Sequence, residues 1–303
     1  MRSKNLLPLT SDIVFKAAFG RDTPESKKAL IAILNIILER EGEEAIVDLV
    51  YKNPFVYAEF PDDKTVILDI KAVTQRGEWI GVEMQVVLSD WFIDRTVYYN
   101  GKLICEQLEA GESYDKLKKS ITISIVCGTL FPQSRKLMTV FRHKEIDENF
   151  ELDGISELRY LELGKIDDTW NPTEMSRLES VAAYLKYAGD EKRTEYVEKL
   201  LTTGGEVIKM SEQILEKISE DERLRQLQIS RQIAEVYRRL DLGGAHERGV
   251  KEGRAEGMAE GMERGVEQGI KLVKTALKMK EMGKTAAEIC ELTGLSEEQI
   301  EDL

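Results

Sequence analysis

The stretch of sequence that decides the fold is Leu68–Leu88, LDIKAVTQRGEWIGVEMQVVL. Its second half, residues 79–88, has an apolar side chain at every second position, which predicts a strand with one face in a core; these residues are Ile80, Val82, Met84 and Val86. The polar segment 74–78 contains one glycine and predicts a hairpin loop. The loop would join this strand to an earlier one over residues 65–73.

Alternation also predicts which way the side chains of the earlier strand point. Val66, Leu68 and Ile70 are expected on one face, and Ile67, Asp69 and Lys71 on the other. A hairpin would bring Asp69 close to Glu83, which shares its face of the second strand with Gln85. Two close carboxylates repel each other unless a cation or a proton lies between them. From spacing alone, a metal pair and a pair of solvated strand residues are equally good interpretations.

The pattern around this hairpin predicts an α/β core followed by helices. Residues 11–41 are expected to be helical with a break at Gly20–Glu25, and residues 46–60 to be β-rich with a turn at Pro61-Asp62-Asp63. A helix over 90–110 and strands over 120–130, 137–144 and 156–163 follow, and from about residue 173 the pattern is helical.

Composition and the absence of several known motifs argue against a number of functional classes. The net charge of −13 over 303 residues is not that of a strongly basic nucleic-acid binder, although positive charge can still be placed locally. The only histidines are His143 and His246, no Ser-His-Asp or Cys-His arrangement is suggested, and there is no P-loop or GxGxxG motif. The three cysteines predict buried thiols in a reducing cytosol. No apolar run reaches transmembrane length and the first residues are too polar for a signal peptide, so we expect a cytoplasmic protein.

Several segments together resemble one nuclease superfamily. Leu68-Asp69-Ile70 followed by Val82-Glu83-Met84-Gln85 resembles the Asp…Glu-x-Lys signature of PD-(D/E)xK nucleases. The opening Ser11–Gly20, SDIVFKAAFG, and the later Gly111–Tyr114, GESY, are similar to the Rpn-type recombination-promoting nucleases and transposases. The resemblance covers roughly the first two thirds of the chain, and the C-terminal glycine repeat is similar too.

The resemblance implies a restriction-endonuclease-like α/β core, with a mixed sheet flanked by helices, and an all-helical C-terminal extension. It implies a DNA endonuclease that hydrolyses phosphodiester bonds with Mg²⁺ or Mn²⁺ and is linked to recombination or transposition. Asp69 and Glu83 would hold the ion, because hard cations prefer oxygen ligands. Asp12 is either a third carboxylate or only the N-cap of the first helix.

Gln85 stands where the superfamily usually has a lysine. An amide can orient water or phosphate but carries no positive charge. Lys71, on the face predicted for Asp69, either supplies that charge or is an ordinary solvated lysine. A catalytically degenerate nuclease fold, kept for DNA binding or for oligomeric interactions, is therefore the alternative function.

Other basic and aromatic residues are candidates for contact with DNA. Lys16 lies one helical turn after Asp12 and either meets a phosphate or is solvated. Arg95 and Tyr99 resemble a Gln-x-x-x-Tyr element of some relatives, with arginine in the glutamine position, and both can bind phosphate. Trp91 and Tyr98 are expected to be ordinary helix–sheet packing.

The C-terminal region contains a glycine at every fourth residue: Gly249, Gly253, Gly257, Gly261, Gly265 and Gly269. Each costs a helix about 1 kcal/mol relative to alanine, so the segment is either a helix compensated by close contact with another helix or a flexible linker. The regular period favours the helix and predicts a homo-oligomer. Residues 284–303 resemble a helix-turn-helix, but acids in the second helix favour a packing or oligomer cap over DNA reading.

These patterns divide the chain into four predicted regions. A nuclease-like core covers 1–165, a helical extension 166–242, a glycine-repeat helix 243–283 and a small helix-turn-helix-like unit 284–303. DNA is the expected partner, and no membrane is expected.

Overall fold

A six-stranded mixed sheet is the centre of the protein in a computed structural model, which describes residues 5–52, 55–56 and 66–303. The predicted turn Pro61-Asp62-Asp63 and the end of the 46–60 run lie outside the described residues. The chain forms two compact units, residues 1–230 and 231–303. The sheet belongs to the first unit.

The strands follow the chain as β1 Leu49–Tyr51, β2 Phe55–Val56, β3 Val66–Ile67, β4 Ile70–Thr74, β5 Trp79–Gln85, β6 Ser120–Val126, β7 Met138–Arg142 and β8 Ser156–Glu162. The order in the main sheet is β1-β4-β5-β6-β8-β7, and β2 pairs with β3 in a separate two-stranded sheet. β5, β6 and β8 run parallel, whereas β1, β4 and β7 pair antiparallel with their neighbours.

Helices cover both faces of this sheet. In the first unit they are α1 Asp12–Phe19, α2 Pro24–Ile37, α3 Phe92–Cys105, α4 Arg177–Tyr187, α5 Thr194–Thr203 and α6 Glu206–Ser219, followed by the start of α7 Glu222–Glu281. The predicted break in the first helical segment is confirmed, because α2 begins at Pro24 with Thr23 as its cap. The main core joins α1, α2, α4, α5 and α6 to one sheet face, and α3 packs on the other.

The two faces of β5 are filled as alternation predicts up to Met84, but the prediction that Val86 shares the core face is wrong, because β5 ends at Gln85 and Val86 is 47% exposed. Ile80, Val82 and Met84 are buried in the main core. Trp79 packs in a small cluster beneath α3 together with Leu68 and Leu103. The hairpin to β4 is also confirmed, with Ile70 opposite Val82.

The earlier strand is not continuous, contrary to the prediction. β3 ends at Ile67, β4 begins at Ile70, and the chain bends at Asp69. Leu68 therefore packs beneath α3, whereas Ile70 lies in the main core. The expectation that Leu68 and Ile70 share a face is wrong, because the bend interrupts the alternation between them.

The second unit is helical. The glycine repeat lies in α7 and is helical, whereas the close contact with another helix that would compensate its glycines stays a prediction. α8 Ala286–Thr293 and α9 Glu297–Glu301 follow, with the predicted turn at Gly294 and cap at Ser296. Ile289 and Ile300 pack against Ala276 near the end of α7, as expected of a packing cap.

The predicted mixed sheet flanked by helices, with a helical C-terminal region, is confirmed. The division into four regions stays a proposal. Within the described residues, no helix is both long and apolar enough to cross a bilayer. Of the three cysteines, Cys105 is exposed and Cys127 and Cys290 are half-buried, so the expectation of three buried thiols is wrong.

Candidate active site

The bend before β4 brings Asp69 against β5 beside Glu83. Asp69 follows Leu68 and directly precedes β4, and the backbone N–H of Met84 donates a hydrogen bond of 2.7 Å to Asp69 Oδ2. Since Ile70 pairs with Val82, the next residues outward along the two chains are Asp69 and Glu83. The structure thus brings the two predicted acids together.

Glu83 is buried and Asp69 is half-buried. Burial raises the pKa of Asp69 to about 6, against a smaller lowering by the Met84 hydrogen bond. Burial likewise raises the pKa of Glu83 to about 7, where Arg95 acts in the opposite direction and the Asp69 charge adds to the rise. The second interpretation of the sequence, a pair of solvated strand residues, is therefore excluded for Glu83, whose side chain is only 8% exposed.

Arg95 of α3 brings positive charge beside Glu83. Its Nη2 donates a 2.6 Å hydrogen bond to Gln85 Oε1 and lies 3.7 Å from Glu83 Oε2. The guanidinium also lies over the rings of Phe92, Tyr99 and Trp91, at 5.0, 5.6 and 5.7 Å from their centres. Arg95 thus supplies, next to Gln85, the positive charge that a lysine at position 85 would carry.

Three polar atoms at this centre are buried without a hydrogen bond to any described residue: Glu83 Oε2, Arg95 Nε and Ser124 Oγ. A buried carboxylate oxygen that lacks a donor is costly, and such atoms need an explanation. A cation held by Glu83 would provide one.

The chain matches a family model described as PD-(D/E)XK nuclease family transposase over residues 9–239, about three quarters of its length. The chain belongs to this family. Membership supports nuclease activity linked to transposition. Comparisons with curated proteins and with solved structures each give no significant match.

Lys71, the other candidate source of positive charge, is engaged elsewhere in the fold. It is buried, forms an ion pair with Glu106 just after α3, and its ammonium lies 5.2 Å from the centre of the Trp79 ring. The idea that Lys71 supplies the missing charge stays a prediction, and its pairing with Glu106 favours Arg95 instead.

Asp12 and Lys16 of α1 lie near enough to Asp69 to act on it electrostatically. Asp12 raises the pKa of Asp69, and Lys16 lowers it, both less than burial does. Asp12 is the first residue of α1, and the N-cap position belongs to Ser11. The alternative that Asp12 is only an N-cap is therefore wrong. Among the described residues, however, no three His, Cys, Asp or Glu side chains form a group that could hold a metal ion.

The aromatic residues of α3 differ from the prediction. Tyr99 is half-buried with Leu68 and Leu103, and burial raises its pKa, with a further rise from the Glu83 charge. Trp91 is 58% exposed and Tyr98 is 41% exposed. The prediction that Trp91 and Tyr98 are helix–sheet packing is wrong, because both side chains are exposed to solvent.

One neighbour of the acids was missed from the sequence. Ser124 of β6 pairs in register with Glu83, and its buried Oγ has no hydrogen bond within the described part of the chain. The signal was available: Ser120, Thr122 and Ser124 place a small hydroxyl at every second residue. That alternation marks the face beneath α3, where Asn100 bonds to Thr122.

Proposed function

We propose that the chain is a divalent-metal-dependent DNA endonuclease that hydrolyses phosphodiester bonds during recombination or transposition. The observation that carries this proposal is the adjacent pair of half-buried Asp69 and buried Glu83, with an oxygen of Glu83 that has no hydrogen bond among the described residues. Family membership supports the same conclusion.

The donor set suits a hard divalent cation, Mg²⁺ or Mn²⁺. Asp69 and Glu83 would hold it, water or DNA would complete the ligands, and Asp12 of α1 would add negative charge near Asp69. When bound, such an ion supplies a water of lowered pKa and stabilises negative charge on a phosphate. Its charge would also keep both carboxylates ionised at neutral pH, which burial alone opposes.

The remaining residues would act on the DNA. Gln85 orients water or a phosphate oxygen through its amide, and Arg95 holds that amide in place while supplying positive charge beside it. Tyr99 shares the cluster beneath α3, from which its hydroxyl can bond to a phosphate. Lys16 adds positive charge on the α1 side of Asp69.

Plasmid cleavage with Mg²⁺ tests the proposal, with wild type compared against Asp69→Asn and Asp69→Ala. We expect both substitutions to reduce cleavage to the background level, because either removes a charged ligand. Lys119→Gln, which alters an ion pair to Glu157 away from the acids, is the matched control and should cut normally. Equal cleavage by wild type and Asp69→Ala would overturn the proposal.

The second candidate function is a degenerate nuclease fold that binds DNA without cutting it. The glutamine at position 85 and the lack of a three-acid group among the described residues favour it. Calorimetry with Mn²⁺ separates the two functions: Asp69-dependent binding supports the nuclease, and no binding supports the degenerate fold.

We also propose that α7 joins copies of the chain. The six glycines at every fourth position would let another helix approach closely, and a Cβ added at any of them would meet no described heavy atom within 4 Å outside its own stretch of helix. Met258 and Met262, each following one of these glycines, are 78% and 73% exposed. A second α7 would cover both the glycines and these methionines.

A further inference from the structure

Four residues form a stripe that starts at the N-cap of α3 and runs along one side of the helix: Trp91, Arg95, Tyr98 and Lys102. Their spacings of four, three and four residues place them on one helical face. The adjoining side of the helix is buried through Phe92 and Leu103. More than half of Trp91 and two fifths of Tyr98 are exposed, so the stripe presents two large aromatic side chains at the surface.

Each ring in this aromatic–basic stripe has a cation beside it. The Arg95 guanidinium lies 5.7 Å from the centre of the Trp91 ring, and the Lys102 ammonium lies 5.8 Å from that of Tyr98. Rings interleaved with basic groups are what proteins use to bind single-stranded nucleic acid. Bases stack on the rings while the cations meet the backbone phosphates.

The stripe is continuous with the carboxylate centre. Arg95 belongs to both, because it bonds to Gln85 and lies 3.7 Å from Glu83 while also touching the Trp91 ring. A DNA strand bound along the stripe would therefore have a backbone phosphate next to Asp69 and Glu83. In a duplex the base faces are stacked inside the helix, so only unpaired bases can use such rings.

We propose that this stripe stacks unpaired bases beside the scissile phosphate, so that the substrate is DNA with a single-stranded segment at the cut. This inference rests on the proposed nuclease function and names its substrate class. A protein partner is the competing occupant of an exposed apolar helix side. Ile93 and Val97, 40% and 53% exposed, lie on α3 outside the stripe. A protein partner that binds the exposed apolar side of α3 would contact them, so they distinguish that occupant from nucleic acid.

Binding without cleavage tests the inference. In an Asp69→Asn background, fluorescence anisotropy compares a labelled oligothymidine with a blunt duplex of the same length. We expect the single strand to bind more tightly. Trp91→Ala and Tyr98→Ala should each weaken single-strand binding about tenfold, the change that about 1.4 kcal/mol of stacking produces. Tyr98→Phe keeps the ring and should bind normally.

Val97→Ala is the matched control, since it removes an exposed apolar side chain of α3 outside the stripe. It should leave both affinities unchanged, and circular dichroism should show all variants folded. The inference is overturned if Trp91→Ala and Tyr98→Ala weaken duplex and single strand equally, or if Val97→Ala has the same effect. It is also overturned if sedimentation shows that Trp91→Ala separates a dimer, which would assign the stripe to a protein partner.

Cleavage separates this inference from the nuclease proposal. If wild type cuts fully paired linear DNA and Trp91→Ala cuts it equally fast, the nuclease proposal stands and the stacking inference fails. If no DNA is cut but ring-dependent single-strand binding persists, the nuclease proposal fails and the stripe is still a single-strand site.

Discussion

The carboxyl groups of Asp69 and Glu83 are held in a place that disfavours their charge. Burial raises both pKa values, to about 6 and about 7. For an acid whose pKa is raised by folding, stability is greatest below the unfolded-state pKa and is lost as the pH rises through the folded-state pKa. The metal-free protein should therefore lose stability between about pH 4 and pH 7 through these groups.

Glu83→Gln removes this dependence at one of the two residues. The free energy of unfolding of the metal-free variant should exceed that of wild type at pH 8 by about 1–3 kcal/mol, and should match it near pH 4, where both side chains are neutral. Urea unfolding at the two pH values in the presence of EDTA measures this. A variant less stable than wild type at pH 8 would contradict the inference that burial disfavours the Glu83 charge more than Arg95 stabilises it.

Arg95 and Lys71 are competing sources of the charge that Gln85 lacks. Arg95→Gln should reduce cleavage about 100- to 1,000-fold, as loss of one charge-stabilising group does. A second substitution, Gln85→Lys, should restore much of that loss. Lys71→Met keeps the stem over Trp79 and removes the charge, so cleavage should fall less than about tenfold. The reverse ranking in steady-state cleavage would assign the role to Lys71.

At this scale the sequence predicts the acids better than their surroundings. Alternation along residues 79–88 puts Glu83 on the face opposite Ile80 and Val82, and the structure agrees. Nothing local in the sequence links Arg95 to Gln85, because that contact depends on how α3 lies across β5. The burial of Trp91 and Tyr98 is wrongly predicted for the same reason. An aromatic residue can lie on the buried or the exposed side of a helix, and only the packing of that helix determines which.

At the scale of elements, the hairpin of β4 and β5 is fitted tightly beneath α3. Gly81 lies under this helix, and a Cβ added there would be 3.0 Å from side-chain carbons of Leu68 and Leu103. Leu68 directly precedes Asp69, so crowding at Gly81 would also displace the acid. The absent side chain at position 81 is thus part of what holds the site in shape.

Gly81→Ala should therefore lower the free energy of unfolding by about 1–3 kcal/mol and weaken Mn²⁺ binding. Gly101→Ala is the matched control, because a Cβ at Gly101, inside α3, meets nothing within 4 Å in the described part of the chain. It should raise stability by about 1 kcal/mol through helix propensity. Chemical denaturation and calorimetry on both variants provide the measurement, and equal effects of the two alanines would contradict the close packing under α3.

The bend at Asp69 could not be predicted from the alternation of apolar and polar residues. Leu68 and Ile70 are both apolar, as a continuous strand with one buried face requires. This sheet is buried on both faces, by the main core and by α3, so an apolar residue is acceptable on either side. Period-two alternation cannot reveal a break when both faces demand apolar residues. The sequence therefore predicts the hairpin but not the bend that places Asp69 beside Glu83.

At the scale of the whole molecule, the two units are stabilised in different ways. The first is built on a sheet with a core, whereas the second depends on α7, where Gly257 and Gly261 lie in open space. We expect wild type to sediment as an oligomer. Gly257→Leu with Gly261→Leu should weaken association at least about tenfold by blocking close approach of helices.

Ala259→Leu is the control for that experiment, because position 259 lies roughly on the opposite side of α7 from Gly257. It should sediment like wild type in analytical ultracentrifugation. A monomeric wild type, or the same loss of association in both leucine variants, would refute self-association through the glycines.

The exposed thiol at the end of α3 has a practical consequence for the state in which the protein is found. Cys105 is open to solvent, whereas burial raises the pKa of Cys127 to about 11 and leaves it mostly unreactive. In air, two copies can therefore become covalently linked through their Cys105 residues. A dimer that disappears with reductant reports this disulfide, and one that persists reports a genuine non-covalent assembly.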